Sequence, residues 1–223
     1  MIVVHHLNNS RSQRILWLLE ELGLDYEIKL YQRDPQTMLA PPELRAVHPL
    51  GKSPVVTDGG LTLAESGAII EYLIERYGEG KLAPARDSPD RIRYLYWLHY
   101  AEGSAMPPLL LKLVFDKIES APMPFFVRPV ARGLAQRVKS TFVVPQLEQH
   151  LDFLEAELGA APWFVAGTFS GADIQLFFPL EAATSRAGLG PSRPNLWGFL
   201  QRAHARPAYQ RALQKGGAFT VAT

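Results

Sequence analysis

The sequence predicts an α/β unit followed by an all-α unit, and three observations carry that reading. Strand and helix patterns alternate over roughly the first 80 residues. Residues 78–89 then break the pattern with two glycines, two prolines and mixed charge, and only helical apolar periods follow. The expected division is residues 1–80 and 89–223.

The elements follow in order. Ile2-Val3-Val4-His5-His6 is a short apolar strand, and Ile15, Leu18, Leu19 and Leu22 share one face of the helix after it, which Gly23 stops. Residues 26–31 alternate as a half-buried strand, and Pro41-Pro42-Glu43-Leu44 starts a short helix, since proline is tolerated in a first turn. Pro54-Val55-Val56 opens a strand that turns at Asp58-Gly59-Gly60 into a second, from Leu61. A helix then begins at Glu65-Ser66, with Ile69, Ile70, Leu73, Ile74 and Tyr77 as its apolar stripe.

Beyond the break, residues 91–115 read as one long helix kinked at Pro107-Pro108. A proline-rich loop over residues 120–129 leads to a helix with Leu147, Leu151, Leu154 and Leu158 on one face. Ser170 and Asp173 form a capping box, with Phe169 and Ile174 placed as a hydrophobic staple. Pro194 and Pro207 open the last two helices.

Bulk properties narrow the functional classes. Twenty-three basic and 22 acidic residues leave a net charge of +1, which carries no electrostatic footprint for nucleic acid. No apolar run is long enough to span a bilayer, and the N-terminus shows no basic n-region or cleavage site, so the expected compartment is the cytoplasm and no membrane partner is expected. With no cysteine, the chain has no disulfide, no cysteine zinc site and no protein thiol for covalent chemistry. A thiol can enter only with a substrate. His5-His6 is read as structural, because adjacent strand residues face opposite sides and no third metal ligand has suitable spacing.

Residues 48–72 are the most specific stretch. Ser53 precedes Pro54, and a proline removes a backbone donor; in its cis form it turns the preceding residue's N–H and C=O toward a ligand. Ser66 falls where the free N–H groups of a helix start collect an anion. Together they describe a pocket for a small peptide carrying carboxylates.

This arrangement resembles the glutathione-binding half of the glutathione S-transferase family. The opening strand running into Asn8-Asn9-Ser10-Arg11-Ser12-Gln13-Arg14 and the later Phe169-Ser170-Gly171-Ala172-Asp173-Ile174 extend the resemblance over the whole chain. Ser-Arg-Ser, Ala-Pro-Pro-Glu-Leu and His-Pro-Leu-Gly-Lys-Ser-Pro are most similar to the microbial subgroup named after a yeast enzyme. The resemblance implies the glutathione transferase fold: an N-terminal thioredoxin-like domain and a C-terminal helical-bundle domain. It also implies glutathione as co-substrate without a metal, a small hydrophobic electrophile or peroxide as second substrate, and a homodimer.

A cysteine-like thiol has a pKa of roughly 8.5, and lowering it by about two units requires roughly 2.7 kcal/mol in favour of the anion. A hydrogen bond to a charged acceptor contributes about 1.5–3 kcal/mol and a helix N-terminus about 0.3–1 kcal/mol, so one hydroxyl suffices. By resemblance that hydroxyl belongs to Ser10, with Ser12 in reserve; the plainer reading of Ser10 is a helix cap paired with Gln13. Asn8 and Asn9 read as turn residues that could also orient the sulfur.

For the rest of the peptide, Glu65 pairs with the γ-glutamyl ammonium and Ser66 holds the adjacent carboxylate. Ser53, before Pro54, pairs with the cysteinyl amide, and Lys52 meets the glycyl carboxylate. An acidic first turn and a solvated loop lysine are the plainer readings of Glu65 and Lys52. His48 is read as a loop residue. Tyr100 and Ser104 are expected nearest the electrophile, although an aromatic stripe at helical spacing is also what a core shows. Glu102 is expected to reach across the dimer to the partner's glutathione. Three alternatives stay open: glutathione-dependent disulfide reduction, a non-catalytic binding protein of the same fold, and an isomerase, for which Arg11 and Arg14 give thin support.

Overall fold

The computed structural model describes residues 1–159 and 161–217. A four-stranded sheet in the order β2-β1-β3-β4 forms the first unit. Strand β1 (Ile2–Leu7) lies in its interior, parallel to β2 (Tyr26–Tyr31) and antiparallel to β3 (Val55–Asp58), which pairs in turn with β4 (Leu61–Ala64). Nearly every residue of β1 is buried, as a strand covered on both faces requires, whereas the edge strand β2 is largely exposed.

Parallel strands need a crossover, and α1 (Ser12–Leu22) supplies it. Gly23 ends this helix at φ 68°, a left-handed position that glycine takes without a Cβ penalty. Helix α3 (Ser66–Tyr77) packs beside α1 through Ile69, Ile70 and Leu73. The short α2 (Pro42–Val47) places Leu44 with Leu7, Tyr31 and Ala40 in a separate small cluster.

The second unit starts at α4 (Asp90–Tyr100), and here the expected single kinked helix takes another form. Residues Ala101–Ala105 make a π-helical turn before α5 (Met106–Ser120), with the Met106 N–H bonded to the Ala101 carbonyl. A proline ring collides with the carbonyl four residues back, so widening the turn ahead of Pro107 and Pro108 relieves both clashes. The same device recurs at Lys139–Val143, ahead of Pro145.

Helix α6 (Arg128–Val138) begins inside the stretch expected to be loop, taking Pro129 into its first turn. It buries Ala135 alone, so it shows no apolar stripe for a periodicity argument to find. Helix α7 (Val144–Leu158) buries Leu147, Leu151, Leu154 and Leu158 as expected.

Helix α8 (Gly171–Arg186) runs through the middle of this unit, with residues on every side buried. Its capping box forms: the Asp173 carboxylate accepts from the Ser170 N–H and hydroxyl, both at 2.9 Å, and from the Phe164 N–H at 3.0 Å. Phe169 packs on Trp17 and Trp163. Helices α9 (Pro194–His204) and α10 (Pro207–Gly216) complete the described chain.

One apolar core joins the units, because Trp17 of α1 meets Phe177 of α8 and Tyr209 of α10 edge to face. Gly171 allows a close approach of α8 to α3, since a Cβ there would lie 2.6 Å from Ile74 Cδ1 and 2.7 Å from Ile70 Cγ2.

Candidate functional site

The hairpin of β3 and β4, the start of α3 and the turn before α1 converge on a cavity of about 180 Å³. It is lined by Arg11, His48, Leu50, Lys52, Ser53, Pro54, Ala64, Glu65, Ser66 and Glu102. The Ser53-Pro54 peptide is cis. Glu65, at φ 70° and ψ 117°, holds a conformation uncommon for a residue with a side chain, and such positions cluster at ligand clamps. Ser66 is buried in the first turn of α3, where backbone N–H groups have no partners within the helix. Lys52 and Glu65 are exposed and form no ion pair among the described residues, so each charge is available to a ligand of opposite sign.

Ser10 sits behind this wall at 5 % exposure. Its hydroxyl lies 3.1 Å from Ser53 Oγ and 2.7 Å from Ser12 Oγ, and it accepts the Ser12 N–H at 3.2 Å. The expected capping box with Gln13 is replaced by this local bond to Ser12, since α1 is capped at Arg11 without a side-chain bond. The helix proper starts at Ser12, and the Gln13 N–H goes to the Ser10 carbonyl at 3.3 Å. Ser12 is fully buried and turns the other way, 2.8 Å from His6 Nδ1. Of the two serines, Ser10 stands closer to the cavity wall, through Ser53.

His5 and His6 do point apart. His5 meets Tyr31 and Thr57, and His6 meets Ser12 and the Gly216 carbonyl. Burial pulls both imidazoles below their ordinary pKa, helped by Lys29 for His5 and opposed by the Gly216 carbonyl for His6. Among the described residues no group of three or more histidine or acidic side chains could hold a metal.

Glu102 lines this cavity. Arg11 donates to both its carboxylate oxygens at 3.0 and 3.1 Å and Arg14 adds a bond of 2.6 Å. Burial works to raise its pKa, but Arg14 and Arg11 outweigh it and hold the carboxyl below its usual range. Arg14 itself is buried, and desolvation pulls it down to about 10 against the attraction of Glu102, so it is charged at neutral pH.

Tyr100 and Ser104 are not brought to this cavity. The Tyr100 ring is buried among Trp97, Tyr96 and Phe153, and its hydroxyl meets His150 Nδ1 at 2.5 Å. An aromatic at helical spacing served the core here, and burial raises its pKa accordingly.

Three contributors were given no role in this cavity by the sequence reading. Arg11 lines the cavity, His48 lines it with a buried Nδ1 that has no partner among the described residues, and His6 stands behind Ser12. The acidic Glu102 facing Arg11, just ahead of α1, and Arg14 within it was a charge-pair signal; no spacing rule connects His6 to Ser12.

A mixed four-stranded sheet of thioredoxin-like order, with a cis-proline cavity at its edge and an all-helical second unit, defines the class. The chain belongs to the glutathione S-transferase family. Its residues 1–75 match the family's N-terminal domain and residues 134–216 its C-terminal domain. It is 36% identical to glutathione S-transferase 3 of Schizosaccharomyces pombe, over 96% of this chain and 88% of that protein. It is 34% identical to glutathione S-transferase 1 of Saccharomyces cerevisiae, over 98% of this chain and 96% of that one, which agrees with the yeast-type resemblance. A crystal structure of a glutathione S-transferase from Actinobacillus pleuropneumoniae superposes with a TM-score of 0.80 at 37% identity, over 97% of this chain and 93% of that chain.

Proposed function

We propose that the protein is a glutathione transferase in which the cavity beside Pro54 holds glutathione and Ser10 stabilises its thiolate for attack on a small hydrophobic electrophile or a peroxide. The observation that carries this reading is the position of the Ser10 hydroxyl, 3.1 Å from Ser53 on the cavity wall and almost wholly shielded from water. A shielded donor stabilises an anion more than an exposed one does, because the local dielectric is low.

The charges around it match a zwitterionic tripeptide. Glu65, and beside it Glu102, offer acceptors for an ammonium; Ser66 with the N–H groups of α3 offers donors to one carboxylate, and Lys52 a cation to the other. The lack of any cysteine restricts the thiol chemistry to the sulfur that glutathione brings.

A cytoplasmic homodimer is the form we assign to this enzyme. Support comes from the apolar surface of α5 and α6, where Leu110, Val114, Ile118, Val130 and Leu134 are all exposed, more than a monomer usually leaves in one region.

Ultraviolet titration of enzyme-bound thiolate tests the central claim. Ser10→Ala is expected to raise the bound thiol's pKa by about one unit or more while leaving glutathione affinity nearly unchanged. An unchanged titration rejects the role of Ser10.

A further inference from the structure

The hydrogen-bond chain behind Ser10 has a direction fixed at its far end. The Gly216 carbonyl can only accept, so His6 Nε2 carries a hydrogen and donates it across 3.0 Å, which leaves Nδ1 of the neutral ring bare. Ser12 Oγ, 2.8 Å from Nδ1, therefore donates to it. The His5 carbonyl, 3.2 Å from Ser53 Oγ, likewise fixes the Ser53 hydrogen. The one hydrogen of Ser10 is then shared between Ser12 at 2.7 Å and Ser53 at 3.1 Å, whose own hydrogens point elsewhere. Ser10 Oγ accepts the Ser12 N–H and keeps its second lone pair for an incoming S–H.

We infer that His6 is the terminal acceptor of the glutathione thiol proton, reached through the hydroxyls of Ser10 and Ser12. The inference rests on the assignment of Ser10 as the sulfur's partner. In the step, the S–H bond breaks and sulfur keeps the electron pair. Ser10 Oγ takes the proton and gives its own to Ser12 Oγ, which gives its own to His6 Nδ1. The products are a thiolate and an imidazolium, and no oxidant or reductant takes part.

The Ser10–Ser12 and Ser12–His6 bonds survive the transfer with their sense reversed, while the Ser10 hydrogen leaves Ser53 for the sulfur. His6 Nδ1 then donates to Ser12, Ser12 to Ser10, and Ser10 to the thiolate. The Nε2 bond to Gly216 is the same before and after. Each link from the sulfur to His6 therefore holds a hydrogen in both states, which a chain ending in a group that only donates could not achieve.

Water offers no shorter route from the inner end, since Ser12 is fully buried and His6 and Ser10 nearly so. The groups facing His6 are uncharged: Leu30 of β2 in register beside it, Ser12 and Gln13 of α1, and Gly216 of α10. Burial keeps the resting imidazole neutral, and the thiolate formed at the other end supplies the charge that favours its protonation. His6 acts through the serines and is a positioning residue.

The test compares thiolate formed with protons released when glutathione is added to the full-length protein near neutral pH. Thiolate is read by ultraviolet absorbance, protons by a pH indicator, and the charge of His6 by nitrogen NMR of labelled histidine. Thiolate is expected to appear with clearly less than one proton released per thiolate. The His6 nitrogens should shift to the imidazolium position with glutathione and stay neutral with S-methylglutathione. Ser12→Ala, which cuts the chain but keeps Ser10 and His6, should restore release of one proton per thiolate and move the pH profile of kcat/KM upward by about one unit. Release of one proton per thiolate in the unmodified protein, with His6 still neutral, overturns the relay and leaves the role of Ser10 standing. No thiolate signal at all overturns both.

Discussion

Arg14 and Glu102 lie 88 residues apart in sequence and 2.6 Å apart in the fold. One comes from the first helix of the sheet unit and the other from the π-helical turn of the helical unit, so their bond ties the two units together behind the cavity wall that Glu102 forms. The Arg14 side chain is 1 % exposed and the Glu102 side chain 31 %, which places a desolvated cation against a carboxylate that still touches solvent.

Glu102→Gln leaves that cation without a counter-charge. The expected loss is about 2 kcal/mol of unfolding free energy in urea, discounted for the partial exposure of Glu102. Because the folded carboxyl has a lowered pKa, its stabilisation is present above the unfolded value of 4.5 and is lost as pH falls through the folded one. The stability difference between wild type and variant should therefore shrink on acidification.

Asp173 carries the opposite sign. Burial raises this carboxyl from 3.8 to about 6, although the bonds from Phe164 and Ser170 favour its charged form. Between those two values the folded state binds more protons than the unfolded one, so its contribution to stability falls as pH rises and levels off above about 6. Urea midpoints measured across this window for wild type and Asp173→Asn should show that slope in their difference. The variant should also be less stable throughout, by about 1–3 kcal/mol, because an amide cannot accept all the bonds of the capping box.

Glutathione binding should depend on Glu65 more than turnover does. Glu65→Gln keeps the shape of the cavity wall and removes a charge-assisted bond to the ligand's ammonium, so KM for glutathione is expected to rise about tenfold with kcat little changed. Steady-state kinetics with glutathione varied at saturating electrophile measures this. An equal loss in kcat alone would move Glu65 from binding to chemistry.

Leu134 is 65 % exposed on α6, and Phe125 in the preceding loop is 82 % exposed. If the α5–α6 face is the dimer contact, Leu134→Glu should give a monomer by light scattering with unchanged far-ultraviolet circular dichroism. A dimer that persists in the variant places the contact elsewhere.

The parts legible in the sequence are those set by neighbours along the chain. Ser53-Pro54 and Glu65-Ser66 marked the cavity because a proline and a helix start dictate backbone geometry locally, and the leucines of α7 marked a buried face by spacing alone. Pro107 and Pro108 announced a disturbance but not its form, since a kink and a widened turn both answer the same clash. Tyr100 was open to two readings because core and pocket aromatics share one periodicity, and its partner His150 lies 50 residues away. His6 gave no sign of its link to Ser12, which exists only once the strand and the helix are folded against each other, with α10 closing from the far end of the chain.

Trp17 has a consequence for how the molecule can be divided. Its ring belongs to the sheet unit by sequence, yet it is covered by Phe177 and Tyr209 from the far half. Residues 1–77 expressed by themselves would leave that indole and the Arg14 guanidinium beside it stranded in solvent without their cover. Gene fragments that split this polypeptide at the linker should yield an aggregating first piece, and co-expression of both pieces should rescue it.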